Sequence, residues 1–128
     1  MTKIILLLAG GAIGTLARYG VSGLMYKCCN GTFPLGTLAV NLVGSFFIGL
    51  LWGLWESFNI SSNMRSFIFI GVLGGFTTFS SYTLETLNLF KNGETKMALI
   101  NIFSNNIFGL ILVFLGFVAA KGLINIIK

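Results

Sequence analysis

Between Gly74 and Glu85 the chain reads Gly-Gly-Phe-Thr-Thr-Phe-Ser-Ser-Tyr-Thr-Leu-Glu, inside a long apolar stretch. Five hydroxyl side chains (Thr77, Thr78, Ser80, Ser81 and Thr83) stand there with two aromatic rings at i and i+3, Phe79 and Tyr82, and one carboxylate, Glu85. Hydroxyls donate hydrogen bonds to anions, and an aromatic ring has an electropositive edge. Paired glycines can interrupt a helix and free main-chain carbonyls, the ligands a hard cation takes. Amide donors recur elsewhere in the apolar sequence. Asn41 and Ser45 share one helix face, and Asn101 and Asn105 share another, whereas Ser104 and Asn106 point away from it. Polar groups at membrane depth are costly and mark places where a membrane protein works.

Composition narrows the chemistry. The chain has 128 residues, 55% of them hydrophobic and only 9% charged, with mean hydropathy +0.94. That is the composition of an integral membrane protein. There is no His and no Asp, and the acids are Glu56, Glu85 and Glu94. A zinc site or a Ser-His-Asp triad cannot be built from these residues, and no phosphate-binding loop motif occurs. An enzyme is not expected. Cys28 and Cys29 are adjacent, which suits neither an unstrained disulfide nor a closed metal site. The net charge of +5 does not point to nucleic acid, because the basic residues are scattered as single flanking charges without a basic run.

The elements that must carry these residues follow from length. A membrane-crossing helix needs about 20 apolar residues. Four stretches qualify, at about residues 4–25, 35–58, 66–90 and 97–127, separated by short polar breaks. The expectation is a single four-helix transmembrane domain over residues 1–128, all-α, with the third helix broken near Gly74–Thr78. The first segment reads as a retained helix rather than a signal peptide.

Lys and Arg in the flanks set orientation. Lys3, Arg65, Lys121 and Lys128 fall on one side; Lys27, Lys91, Lys96 and a snorkelling Arg18 fall on the other. This balance predicts dual topology, with copies inserted both ways and paired as an antiparallel homodimer. Depth gives a second argument. Asn41, Phe79, Tyr82, Asn101 and Asn105 all fall in the same half of the membrane at about 1.5 Å rise per residue. One chain therefore supplies a polar track through half the bilayer, and an inverted copy would supply the rest. Small residues spaced four apart, Gly10 and Gly14, Gly49 and Gly53, Gly71 and Gly75, allow close helix packing either within a subunit or between subunits.

The sequence resembles the Fluc fluoride channels, also called CrcB proteins. The first segment carries Gly-Gly-Ala-Ile-Gly-Thr-Leu-Ala-Arg18-Tyr-Gly, similar to the family's glycine-rich start and arginine. The second has Gly-Thr-Leu-Ala-Val-Asn41-Leu-Val-Gly-Ser-Phe, and the third has the Gly74 to Glu85 stretch, close to Gly-Gly-x-Thr-Thr-Phe-Ser-Thr-Phe-x-x-Glu. The resemblance covers essentially the whole chain. It implies an antiparallel dimer with two fluoride pores, each using both subunits, and an export function in the cell membrane. It implies that Phe79 and Tyr82 turn ring edges to fluoride, beside Asn41, Ser80, Ser81, Asn101 and Asn105, with Arg18 near a vestibule. It also implies a structural sodium ion held by the carbonyls of Gly74 and Thr77. Two departures stand out. Tyr82 occupies a position where the family usually has Phe, and the fourth helix carries Asn101, Asn105 and Gly109 where hydroxyl residues are common. Glu85 is expected to pair with Arg18 or Lys91, or to cap local hydrogen bonds. The alternative reading is a small dual-topology, proton-coupled multidrug exporter using Glu85, although such exporters rely on a glutamate in the first helix. A third possibility is a non-transporting membrane assembly subunit.

Overall fold

In a bilayer, a segment must satisfy its own backbone hydrogen bonds, so apolar stretches of this length fold as helices. The computed structural model describes residues 1–28, 31–58 and 60–127, and among these residues there is no strand. Four helices are long and apolar enough to cross a membrane: Thr2–Cys28, Leu35–Trp55, Ser62–Lys91 and Thr95–Ile127. The first, third and fourth extend beyond their apolar cores into polar flanking residues. The second stops at Trp55, short of Phe58, with Glu56 as its C-cap. Cys28 closes the first helix and is exposed; its neighbour Cys29 and the terminal Lys128 lie outside the described residues.

Local sequence explains the helix ends. Pro34 precedes the second helix with φ −78°, where its missing N–H costs nothing. Ser61 caps the third helix by accepting from the Met64 amide at 3.3 Å. The third helix ends in a Schellman turn. Gly93 adopts φ +79°, the Glu94 amide donates to the Leu89 carbonyl at 2.9 Å, and the Gly93 amide donates to that of Phe90 at 3.1 Å.

Glycines set the helix packing. A Cβ on Gly49 would run into the Val113 carbonyl, and one on Gly116 into the Phe46 carbonyl, so the second and fourth helices meet backbone to backbone. The first helix lies equally close against the N-terminal arm of the third. A Cβ on Gly10 would sit 2.7 Å from the Phe67 oxygen, and one on Gly75 would sit 2.8 Å from the Gly11 oxygen. The three small-residue motifs are thus used inside the chain, which decides between the two roles the sequence left open for them.

The break in the third helix lies at the C-terminal edge of the expected stretch. Gly74–Phe76 are still helical, and Gly74 has φ −65° and ψ −35°. The chain leaves the helix at Thr77 (φ −76°, ψ 158°) and Thr78 (φ −149°, ψ 116°), then resumes at Phe79–Lys91. Two β-branched residues favour this extended backbone. Thr78 then caps the new helix by accepting from the Ser81 amide at 3.2 Å. Two π-helical stretches, Ser66–Leu73 and Ser104–Phe108, flank the same region on the third and fourth helices.

Charged and amphipathic side chains collect at the helix ends. At one end the Arg65 guanidinium lies over the rings of Trp52 and Trp55, at 5.1 and 5.8 Å. Beside them Lys121 pairs with Glu56 at 3.0 Å. Trp and Arg in such positions anchor helices at a membrane–water boundary.

Candidate functional site

The break opens a cleft of about 330 Å³ between the second, third and fourth helices, lined by Asn41, Ser45, Thr77, Phe79, Tyr82 and Asn105 among others. Gly74, Ile48 and Phe79 on its wall are exposed, Phe79 by 75%. The site is therefore a cleft in the flank of the bundle, not an enclosed chamber.

Asn41 holds the break. Its Oδ1 accepts from the Thr78 amide at 2.9 Å, and its Nδ2 donates to the Thr78 carbonyl at 3.1 Å. A main-chain N–H only donates, so this pair fixes which way the Asn41 amide faces. The remaining Nδ2 hydrogen goes to Asn105 Oδ1 at 2.9 Å. Asn105 Nδ2 in turn donates to Asn101 Oδ1 at 2.9 Å and to the Asn101 carbonyl at 3.0 Å. Asn101 Nδ2 donates to Thr86 Oγ1 at 2.9 Å, and Thr86 donates to the Tyr82 carbonyl at 2.8 Å. The network runs in one direction, from the Thr78 N–H to the Tyr82 C=O, and ties the break at Thr78 and the helix that follows it to the second and fourth helices. The side-chain oxygens of Asn41, Asn101 and Asn105 all accept within it. None of the three is left to repel an anion in the cleft.

Hydroxyls and rings form the other wall. Thr78 Oγ1 donates to Ser81 Oγ at 3.0 Å, and lies 3.4 Å from Ser80 Oγ. Ser80 is exposed and Ser81 half-buried. Phe79 and Tyr82 pack edge to face, with centroids 5.4 Å apart and planes at 62°. Tyr82 is only 7% exposed, so the two rings of the pair occupy different settings, one outside and one inside.

The sequence-predicted residues mostly converge. Asn41, Asn105, Phe79, Tyr82, Gly74 and Thr77 share the cleft, with Ser80 and Ser81 linked to it through Thr78. Asn101 stands behind the wall instead. It is fully buried and its amide is committed to Thr86 and Asn105, so it positions Asn105 and does not face the space. Asn106, expected to point elsewhere, lines the cleft and donates to the Tyr82 hydroxyl at 3.1 Å. The π turn at Ser104–Phe108 adds a residue to the helical repeat and brings positions 105 and 106 to the same side. Sequence periodicity at 3.6 could not show this; the run of Ser104, Asn105 and Asn106 in an apolar helix was the available signal.

Arg18 and Glu85 do not pair. Arg18 Nη1 reaches the Thr77 carbonyl at 3.4 Å, at the break itself. Glu85 Oε1 accepts from Thr37 Oγ1 at 2.7 Å and lies 3.5 Å from the Tyr26 hydroxyl. Glu85 thus meets neither Arg18 nor Lys91, and its partners come from the first and second helices rather than from local hydrogen bonds. Thr37 sits one helix away and precedes Asn41 by a turn, so no local spacing linked it to Glu85.

This arrangement can be set beside known proteins. A family model described as CrcB-like protein, Camphor Resistance (CrcB), matches residues 5–117. The chain belongs to the CrcB family. A relative from Parabacteroides distasonis, named Fluoride-specific ion channel FluC, is 51% identical over 128 residues, all of both chains. Relatives of the same name from Salinibacter ruber and Pyrococcus abyssi are 45% and 44% identical, over 91% of this chain and 87% and 94% of theirs. With four membrane-crossing helices, this CrcB-family chain is a multi-pass protein of the cell membrane. The relatives are named as channels, and the exporter alternative finds no support among them. The CrcB-family assignment covers the broken third helix, Asn41 and Arg18 within one matched region.

Proposed function

We propose that this chain is a passive fluoride-selective channel that lets fluoride leave the cell. The observation that carries the proposal is full-length similarity, at 51% identity, to a relative named as a fluoride-specific channel. The cleft supplies chemistry suited to that ion. Fluoride is small and strongly hydrated, so a path must replace its water with donors and positive edges. The ring edges of Phe79 and Tyr82 and the hydroxyls of Ser80 and Ser81 provide these, while Asn41 and Asn105 hold the wall in shape. Asn101 acts from behind. Arg18, beside the break, adds a positive potential that draws anions toward it.

The functional unit is an antiparallel homodimer with two pores. Phe79 is 75% exposed on the flank of one chain, and a cleft open along its flank needs a second surface to become a conduit. The near balance of Lys and Arg on the two sides supports insertion in both directions.

A structural sodium ion fits the break. In an unbroken helix the Thr78 amide would close on the Gly74 carbonyl, but here it is taken by Asn41 Oδ1 at 2.9 Å. Gly74 and Thr77 both line the cleft, and main-chain oxygens are the donors that a hard cation takes; the Thr77 oxygen, 3.4 Å from Arg18 Nη1, serves the ion once that guanidinium turns aside. When bound there, sodium would supply positive charge at the centre of the assembly.

Reconstitution tests the proposal. Liposomes holding purified protein and loaded with fluoride release it when a potassium ionophore removes the electrical constraint. Protein that is folded and dimeric but releases no fluoride would refute the reading.

A further inference from the structure

Tyr82 stands where the resemblance leads one to expect Phe, and its hydroxyl has a specific environment. Asn106 Nδ2 donates to the Ile102 carbonyl at 2.7 Å and to Tyr82 Oη at 3.1 Å. A carbonyl only accepts, so the first bond fixes the orientation of the Asn106 amide and makes it the donor in the second. The Tyr82 oxygen is thereby the acceptor of this pair. Its own proton is directed to no acceptor among the described residues, although the ring is 7% exposed and lines the cleft. An O–H whose oxygen accepts a hydrogen bond is a stronger donor.

We propose that the Tyr82 hydroxyl is a fluoride-binding and specificity-determining donor of this channel, and that Asn106 is the positioning residue that aims and strengthens it. The inference rests on the channel reading above and adds to it a donor beyond the ring edges. Four features meet at one point: the Tyr-for-Phe departure, the π turn at Ser104–Phe108 that brings Asn106 round, the amide orientation fixed by Ile102, and a hydroxyl on the cleft lining whose proton has no acceptor among the described residues. A phenol donor differs from a ring edge in strength and direction. It favours a small anion of high charge density over larger halides, and it holds that ion longer.

The test measures fluoride flux in liposomes as a function of fluoride concentration, for the unaltered protein, Tyr82→Phe, Asn106→Leu and the double variant. Tyr82→Phe removes one oxygen and keeps both ring and edge. A hydrogen bond to a charged group is worth enough to shift the half-saturating fluoride concentration by about 10- to 100-fold. The expected result is a rise of about tenfold or more in half-saturating fluoride for a conducting Tyr82→Phe. Asn106→Leu alone should shift half-saturation in the same direction by less. In the Tyr82→Phe background it should add nothing, a non-additivity that a purely structural asparagine would not show. Unchanged half-saturation in a conducting Tyr82→Phe variant would overturn this inference and leave the channel reading standing. Higher flux at every concentration with the same half-saturation would also overturn it, by making the hydroxyl an obstruction. Absence of fluoride flux through the unaltered protein would overturn both.

Discussion

Asn41 is the residue on which the break depends most. It makes three hydrogen bonds, two to the main chain of Thr78 and one to Asn105. In Asn41→Ala all three are lost. Side-chain hydrogen bonds between membrane helices average about 0.6 kcal/mol each, so the bonds themselves account for about 2 kcal/mol. Thr78 is 7% exposed, and a buried N–H left without a partner costs about 1–3 kcal/mol more. The variant should therefore lose about 3–5 kcal/mol of stability and most of its fluoride flux. Asn41→Asp refines the argument. It keeps the acceptor for the Thr78 amide but places a carboxylate oxygen against the Thr78 carbonyl and Asn105 Oδ1, now 3.1 and 2.9 Å from the Asn41 nitrogen. It should be at least as damaging as Asn41→Ala, and more so for anion flux. Denaturant unfolding in mixed micelles gives the stabilities, and liposome efflux gives the flux. Asn41→Ala within about 0.5 kcal/mol of the unaltered protein, the size of an ordinary surface change, would refute the reasoning, as would an Asn41→Asp variant that conducts normally.

Other consequences can be checked as directly. Gly116→Ala should destabilise the fold by about 1–3 kcal/mol or more through overpacking, since its Cβ would meet the Phe46 carbonyl, whereas Gly122→Ala, with nothing within 4 Å, should be neutral or slightly stabilising in unfolding assays. Glu85→Gln keeps an acceptor for Thr37 and should retain fluoride flux from mildly acidic to mildly basic pH; complete loss with altered pH dependence would favour proton-coupled transport instead. Replacing sodium by a bulky organic cation throughout purification should lower flux or dimer stability, with sodium restoring it and potassium doing so less well. Tags on the N- and C-termini should each be found on both sides of the membrane in separate copies; a single orientation in every copy would contradict dual topology.

Much of this architecture was visible in the sequence because membrane insertion imposes a coarse rule. Four apolar runs of spanning length gave four helices, and the cost of polar groups in lipid singled out Asn41, Thr77, Thr78 and Tyr82. The ends were legible only to within a turn or so, because interfacial residues such as Thr2, Ser62 and Lys91 can be helical or not without changing the apolar pattern. The break was placed too broadly. Gly74 and Gly75 drew attention as helix breakers, but both are still helical: Gly75 packs against Gly11 of the first helix, Gly74 lies on the cleft wall, and the backbone turns at the two threonines. Partners distant in sequence were not legible at all. Nothing local joins Thr37 to Glu85 or Arg18 to the Thr77 carbonyl. Asn106 was misassigned because a π turn shifts the phase of a helix, and a 3.6-residue period does not show that shift.

The central claim is selective passive conduction of fluoride, and one measurement tests it most directly. Liposomes containing purified, unaltered protein are loaded with equal fluoride and chloride and diluted into medium free of both, with a potassium ionophore and no proton gradient. The account predicts rapid release of fluoride while chloride stays inside. Retention of both ions by folded protein, or release of both at similar rates, would contradict it.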